Sequence, residues 1–185
     1  MTEPFVSYSQ IGQDKFVFEQ LKPFNSAPGT FLDIGCSTPV VINNTFALEK
    51  LGWKGVLVDL AEDMVELCRK QRTNPVFHGD ATKIDWASLC DQHGLGRAID
   101  YLSLDIDDNA GEESKALIVL RNLVAAGFSF RVITCEHDFY RIGDIARKPI
   151  REFLLKNSYR LVAADAGPCG IPSPDTEQED WWVRP

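Results

Sequence analysis

The sequence is poor in basic residues and has no long apolar run. Its 185 residues carry 27 acidic against 19 basic side chains, for a formal net charge of −8. Binding to a phosphate backbone relies on clustered Lys and Arg, so no nucleic-acid partner is expected. Apolar runs such as Ala116 to Leu120 fall far short of the roughly 20 residues that span a bilayer, so no membrane span is expected either. Met1-Thr2-Glu3-Pro4 places an acid where a secretory leader has a basic stretch followed by an apolar one, which points to a cytoplasmic protein. Cys36, Cys68, Cys90, Cys135 and Cys169 lie far apart with no C-x-x-C spacing. That pattern suits reduced thiols and argues against a disulfide framework or a zinc site. Three motifs are missing as well. No G-x-G-x-x-G disfavours a nicotinamide or flavin dinucleotide, no G-x-x-x-x-G-K-[ST] removes a P-loop, and no G-x-S-x-G removes the usual hydrolase elbow.

What is present is an ordinary globular composition, 44% hydrophobic, in a chain long enough to bury about 70% of its unfolded surface. Short apolar runs alternate with amphipathic stretches, the pattern of an α/β domain with a mostly parallel sheet. Strands are predicted at Thr30 to Ile34, Gly55 to Asp59, Pro75 to His78, Ile99 to Asp105, Phe130 to Glu136 and Tyr159 to Ala164, with Trp181-Trp182-Val183 returning as an edge strand. Helices are predicted from the caps at Asn43-Asn44-Thr45 through Leu51, over Ala61 to Arg72, around Trp86 to His93, over Glu113 to Ala126, and from Pro149 to Asn157. Glu62 and Asp63 open the Ala61 helix and Arg69, Lys70 and Arg72 close it, matching its dipole. One domain is expected over 1–185, with a helical lead-in at 1–25, a core at 28–165, and a C-terminal loop and edge strand at 166–185.

Ligands of open α/β sheets bind outside the carboxyl ends of the strands. Four predicted strands carry an acid at or near that end: Asp33, Asp59, Asp80 and Asp105. A carboxylate ending an apolar strand costs free energy unless it is paired or faces a solvated cleft. Four of them at one edge indicate a polar-ligand pocket. The acid ending the second strand, Asp59, is placed to accept hydrogen bonds from both ribose hydroxyls. A nucleoside without phosphates fits best, and S-adenosylmethionine is the common cofactor of that kind.

Several linked motifs then resemble the FkbM family of S-adenosylmethionine-dependent methyltransferases over nearly the whole chain. They are Ser9-Gln10-Ile11-Gly12-Gln13-Asp14, Phe31-Leu32-Asp33-Ile34-Gly35, the stretch from Asn44 to Gly55, Ser103-Leu104-Asp105-Ile106-Asp107, and Glu179-Asp180-Trp181-Trp182-Val183-Arg184-Pro185. The resemblance implies a class I methyltransferase fold: a Rossmann-like three-layer α/β/α sandwich on a mostly parallel seven-stranded sheet with an antiparallel C-terminal strand. It implies cofactor contacts at Asp33, Gly35 and Cys36 in the first loop, Asp59 and Leu60 at the ribose, Asp80 and Ala81 near the adenine, and Asp105 at the fourth strand. It also implies O-methylation of a small saccharide-like or secondary-metabolite hydroxyl. Two positions depart from the family pattern. Pro39 stands where members have glycine, and Asp107-Asp108 replaces an acid-glycine step. An alternative reading is therefore a catalytically degenerate member acting as a binding or regulatory module.

Methyl transfer needs a group to accept the proton of the attacking oxygen. His137 is the first candidate, with Glu136 or Asp138 to orient it, and Glu136 and Asp107 near the acceptor. Tyr140 and Arg141 are candidates for the acceptor pocket. Asp105, Asp107, Asp108 and Asn109 offer oxygens to a divalent cation, but an EF-hand loop is excluded because its sixth and twelfth positions are Ala110 and Ala116. Helix capping by Asp108 or Asn109 is the expected role, and no metal is assigned. His78 and His93 lack ligand-spaced partners and are read as structural or exposed.

Overall fold

A computed structural model describes residues 5–22, 27–167 and 179–185. The first four residues, Cys169 and nearly all of the proline-rich segment before Glu179 lie outside the described residues. The elements in chain order are α1 (Gln13–Leu21), β1 (Thr30–Ile34), α2 (Phe46–Lys50), β2 (Lys54–Asp59), α3 (Glu62–Gln71), β3 (Val76–His78), α4 (Trp86–Gln92) and β4 (Ala98–Leu104). They continue with α5 (Lys115–Ala125), β5 (Ser129–Glu136), α6 (Phe139–Ile142), α7 (Asp144–Lys156), β6 (Arg160–Ala166) and β7 (Glu179–Val183).

The seven strands form one sheet in the order β3-β2-β1-β4-β5-β7-β6. The first five run parallel, and β7 pairs antiparallel with both β5 and β6. The order reverses between β1 and β4, where such sheets place their ligands. Alternate side chains along the strands supply two cores. On one face Leu32, Val56, Leu102 and Ile133 pack with α4, α5 and α7. On the other, Phe31, Leu57, Tyr101 and Val132 pack with α1, α2 and α3. No helix among the described residues is long and apolar enough to cross a membrane.

Local chemistry explains the boundaries. The Ser114 side chain accepts from the Leu117 amide at the start of α5, and Asp85 accepts from Ser88 at the start of α4. Asp108 takes the capping role expected of it, accepting the first helical amide of α5 from Lys115 at 2.5 Å. Gly127, at φ +84°, ends α5 in the left-handed conformation that favours glycine.

Two expectations need correction. The helix predicted from Pro149 begins five residues earlier, at Asp144, and holds Pro149 inside it. Its buried stripe, Ala146, Ile150 and Leu154, starts before the proline, and that burial outweighs the one backbone bond a helical proline forgoes. The strand around Trp181 and Trp182 is not at the edge. β7 lies between β5 and β6, with Trp182 opposite Ile133 and Leu161, and both indoles are buried. β6 occupies the edge instead.

Candidate cofactor and acceptor site

A cavity of about 730 Å³ opens outside the carboxyl ends of β1, β2 and β4. Every residue assigned to the cofactor from sequence lines it: Asp33, Gly35, Cys36, Asp59, Leu60, Asp80, Ala81 and Asp105. Glu136 and Asp107 line it as well. Among the other lining residues, Gln10, Asn43, Asn44, Met64 and Lys115 were given no ligand role by the sequence reading. Of these, Asn43 and Asn44 were read as helix caps, and Gln10 and Asn44 as parts of the resemblance motifs.

The loop after β1 is built by backbone constraints. Gly35, at φ +84°, lies so close to β4 that a Cβ there would overlap the Asp105 carbonyl, and only glycine fits. Its amide and that of Cys36 both donate to the Val58 carbonyl, at 2.8 and 3.2 Å. Asp59 ties this loop to the next, accepting from the Ser37 amide at 2.7 Å and the Ala61 amide at 2.8 Å. Pro39 carries no amide donor, and the loop around it is held by side chains. Arg72 donates to the Pro39 carbonyl, and Asn43 donates to the Cys36 and Thr38 carbonyls. Ile42, β-branched and exposed, takes φ +56° at the mouth, a strained conformation.

Beneath the loop Arg72 is a buried hub that sequence reading took only as a helix-end charge. It pairs with Glu49 at 3.0 Å and donates to Thr45 Oγ1, which donates to Asp33. Burial pushes the Asp33 carboxyl up to about 6 despite the Arg72 charge and the Thr45 bond. Asp80 is the opposite case. Hydrogen bonds from Lys83 and Thr82 hold its carboxyl down at about 2.

The far wall is acidic. β4 and β5 pair in parallel with Leu104 opposite Cys135, so the next residues, Asp105 and Glu136, stand side by side and hydrogen-bond through their side chains. Burial, their hydrogen bond and their mutual repulsion push Glu136 up to about 11, and burial raises Asp105. Glu136 therefore keeps its proton at neutral pH. Asp107 binds Arg141 at 2.8 Å, and Arg141 also binds Asp138. Lys115 donates from Nζ to the Asp107 carbonyl.

His137 is not brought to the cavity. Its ring is buried, 1% exposed, just past the end of β5, beside Asp165 of β6 and Asp180 of β7. Nε2 lies 3.5 Å from both Asp165 and Asp180, and Nδ1 accepts from the Phe139 amide. These three residues are close enough to hold an ion. However, Arg151 already binds both carboxylates and Arg147 binds Asp165, so two guanidinium charges match the two acids. Tyr140 and Arg141 are outside the cavity's lining, and His78 is exposed, bonded to the Leu60 carbonyl. The resemblance motifs at the two ends of the chain meet across the fold. Gln13 donates to Glu179 at 3.2 Å, and Asp180 is the anchor of Arg151.

Solved structures similar to this fold include methyltransferases. A TehB-like SAM-dependent methyltransferase from Corynebacterium glutamicum matches at TM-score 0.59 and 14% identity, over 95% of this chain and 88% of that one. A sugar N-methyltransferase from Streptoalloteichus matches at 0.59 and 13%, over 94% and 87%. An SAH-bound methyltransferase from Podospora anserina matches at 0.61 and 11%, over 94% and 78%. At these identities the likeness establishes the fold, which is the Rossmann-like class I methyltransferase fold. No protein-family model and no curated protein matches the sequence, so the FkbM resemblance rests on its motifs.

Proposed function

We propose that this chain is an S-adenosylmethionine-dependent methyltransferase acting on a hydroxyl of a small, saccharide-like acceptor. The observation that carries the reading is the convergence of all eight assigned cofactor residues on one cavity at the switch point of the sheet. Its volume is within the usual range for small-ligand sites. The donor set also fits. Asp59 offers a carboxylate to the ribose hydroxyls, Asp80 and Ala81 lie toward the adenine, and Gly35 lets backbone approach the methionine part. S-adenosylmethionine supplies an electrophilic methyl group on a cationic sulfur, which an acid-lined cavity favours.

The Asp105–Glu136 pair is the proton acceptor in this reading. It keeps one proton and has room for a second, and it lines the cavity where His137 does not. Asp107 lines the same cavity and would contact the acceptor.

Calorimetric titration tests the cofactor. Micromolar binding of S-adenosylmethionine and S-adenosylhomocysteine, with none of NAD, is expected. Asp59→Ala should weaken both ligands at least tenfold while the protein stays folded; unaltered affinity in that variant, or no binding by the parent protein, overturns the reading. Binding without turnover on any hydroxylated acceptor would instead favour the degenerate module that Pro39 suggests.

A further inference from the structure

Two thiols face each other where the β1 loop packs on α3. Cys36 follows Gly35 in the β1 loop and lines the cavity. Cys68 is on α3, in the same core cluster as Cys36. Their sulfurs are 4.0 Å apart, about 2 Å more than a disulfide bond. Residues 36 and 68 are separated by 32 positions, so the contact is a product of the fold and invisible to cysteine spacing. The other two described cysteines, Cys90 and Cys135, belong to the opposite core.

The two sulfurs differ in character. The hydrogen bond from Cys36 and the nearby Arg72 guanidinium hold the Cys68 thiol below its ordinary range, whereas that same bond and burial push the Cys36 thiol up. Cys68 is thus the better nucleophile of the two. Cys36 is the one that a small molecule in the cavity meets.

We infer that Cys36 and Cys68 form an oxidation site that peroxide reaches through the open cofactor cavity and closes to a disulfide. In the first step the Cys36 sulfur attacks the peroxide. An S–O bond forms, the O–O bond breaks, and one water leaves with the thiol proton. In the second step Cys68 attacks that sulfenic acid, the S–S bond forms, and the hydroxyl leaves as a second water with the Cys68 proton. Two thiols are oxidised and one peroxide is reduced to two waters.

Closing the gap draws the β1 loop toward α3. That loop carries the Ser37 amide that binds Asp59 and the Gly35 contact with the Asp105 carbonyl, so its displacement deforms the cavity. The affinity consequence rests on the cofactor reading above; the cross-link does not.

The test treats the full chain with hydrogen peroxide and maps disulfides by mass spectrometry of a non-reducing digest. A peptide pair joining Cys36 to Cys68, lighter by two hydrogen atoms, is expected, and it should form at least tenfold more slowly in protein preloaded with S-adenosylhomocysteine. The oxidised protein should bind S-adenosylhomocysteine at least tenfold more weakly, with recovery in dithiothreitol. Cys68→Ser, or Cys68→Ala if the serine variant misfolds, should keep its affinity under peroxide. Thiols that stay reduced, or a bond that joins Cys169 instead, overturn the site. A Cys36–Cys68 bond that leaves affinity unchanged overturns the gating. If the reduced protein binds no adenosyl ligand, the cofactor reading fails, and the peptide map still decides the oxidation site.

Discussion

Asp105 and Glu136 end neighbouring parallel strands and hydrogen-bond to each other at the cavity wall. Two carboxyls so placed cannot both ionise at neutral pH. Replacing Glu136 by Gln keeps the size and mimics its protonated form, so Asp105 can still accept a proton; adding Asp105→Asn removes that acceptor. The double variant Asp105→Asn/Glu136→Gln should therefore lower methyl transfer by about 10²-fold or more, whereas Glu136→Gln alone should stay within a few-fold of the parent. Single-turnover kinetics checks both parts; full activity in the double variant would remove the pair from the proton path.

Buried acids also set how stability responds to pH. Burial pushes Glu179 up to about 8 from an ordinary 4.5, and Asp33 up to about 6 from 3.8. The folded chain therefore keeps protons that the unfolded chain has already released. Stability from these groups is fully present below about pH 4, and is lost as pH rises through about 6 for Asp33 and about 8 for Glu179. Melting temperature should fall between pH 5 and pH 9. Glu179→Gln, permanently neutral at a site bonded to Gln13 and Trp181, should flatten the part of that slope that ends near pH 8. An unchanged slope in the variant would place the titration elsewhere.

The elements most legible in the sequence were those written as short apolar runs between turn residues. β1 has the boundaries predicted for it, because Pro28-Gly29 and Gly35 punctuate it on both sides. α6 was not foreseen: four residues, Phe139–Ile142, are too few for a helical period, and it opens at Asp138 with φ +50°. In the site, the carboxylates were legible because an acid at the end of an apolar strand is conspicuous. Arg72 and the Cys36–Cys68 contact were not, since each depends on α3 docking against the β1 loop. Glu136 and His137 were adjacent candidates, and only the path of the chain beyond β5 decides which of them lines the cavity.

That path gives His137 a structural task. Its ring fills a buried position beside Asp165 and Asp180, which Arg151 clamps. His137→Ala should cost about 2 kcal/mol or more of unfolding free energy, the scale of a truncated buried ring, with S-adenosylhomocysteine affinity kept within a few-fold. Denaturant unfolding and calorimetry on the same preparation measure both. A variant of undiminished stability that loses turnover about 10²-fold would restore the histidine as the base.

Gly35 and Gly127 share a φ of +84° and differ in what surrounds them, which makes them a matched pair. An alanine at either position adopts a left-handed backbone at a cost of about 1–2 kcal/mol. At Gly127 nothing lies within 4 Å of the added methyl, so Gly127→Ala should cost little more than that and leave ligand binding intact. At Gly35 the methyl overlaps the Asp105 carbonyl, and the β1 loop has to move away from β4 to admit it. Gly35→Ala should then be the more destabilising of the two and should also lose adenosyl-ligand affinity by tenfold or more. Equal melting temperatures and equal affinities in the two variants would mean that the close approach of the loop to β4 is not what shapes the cavity.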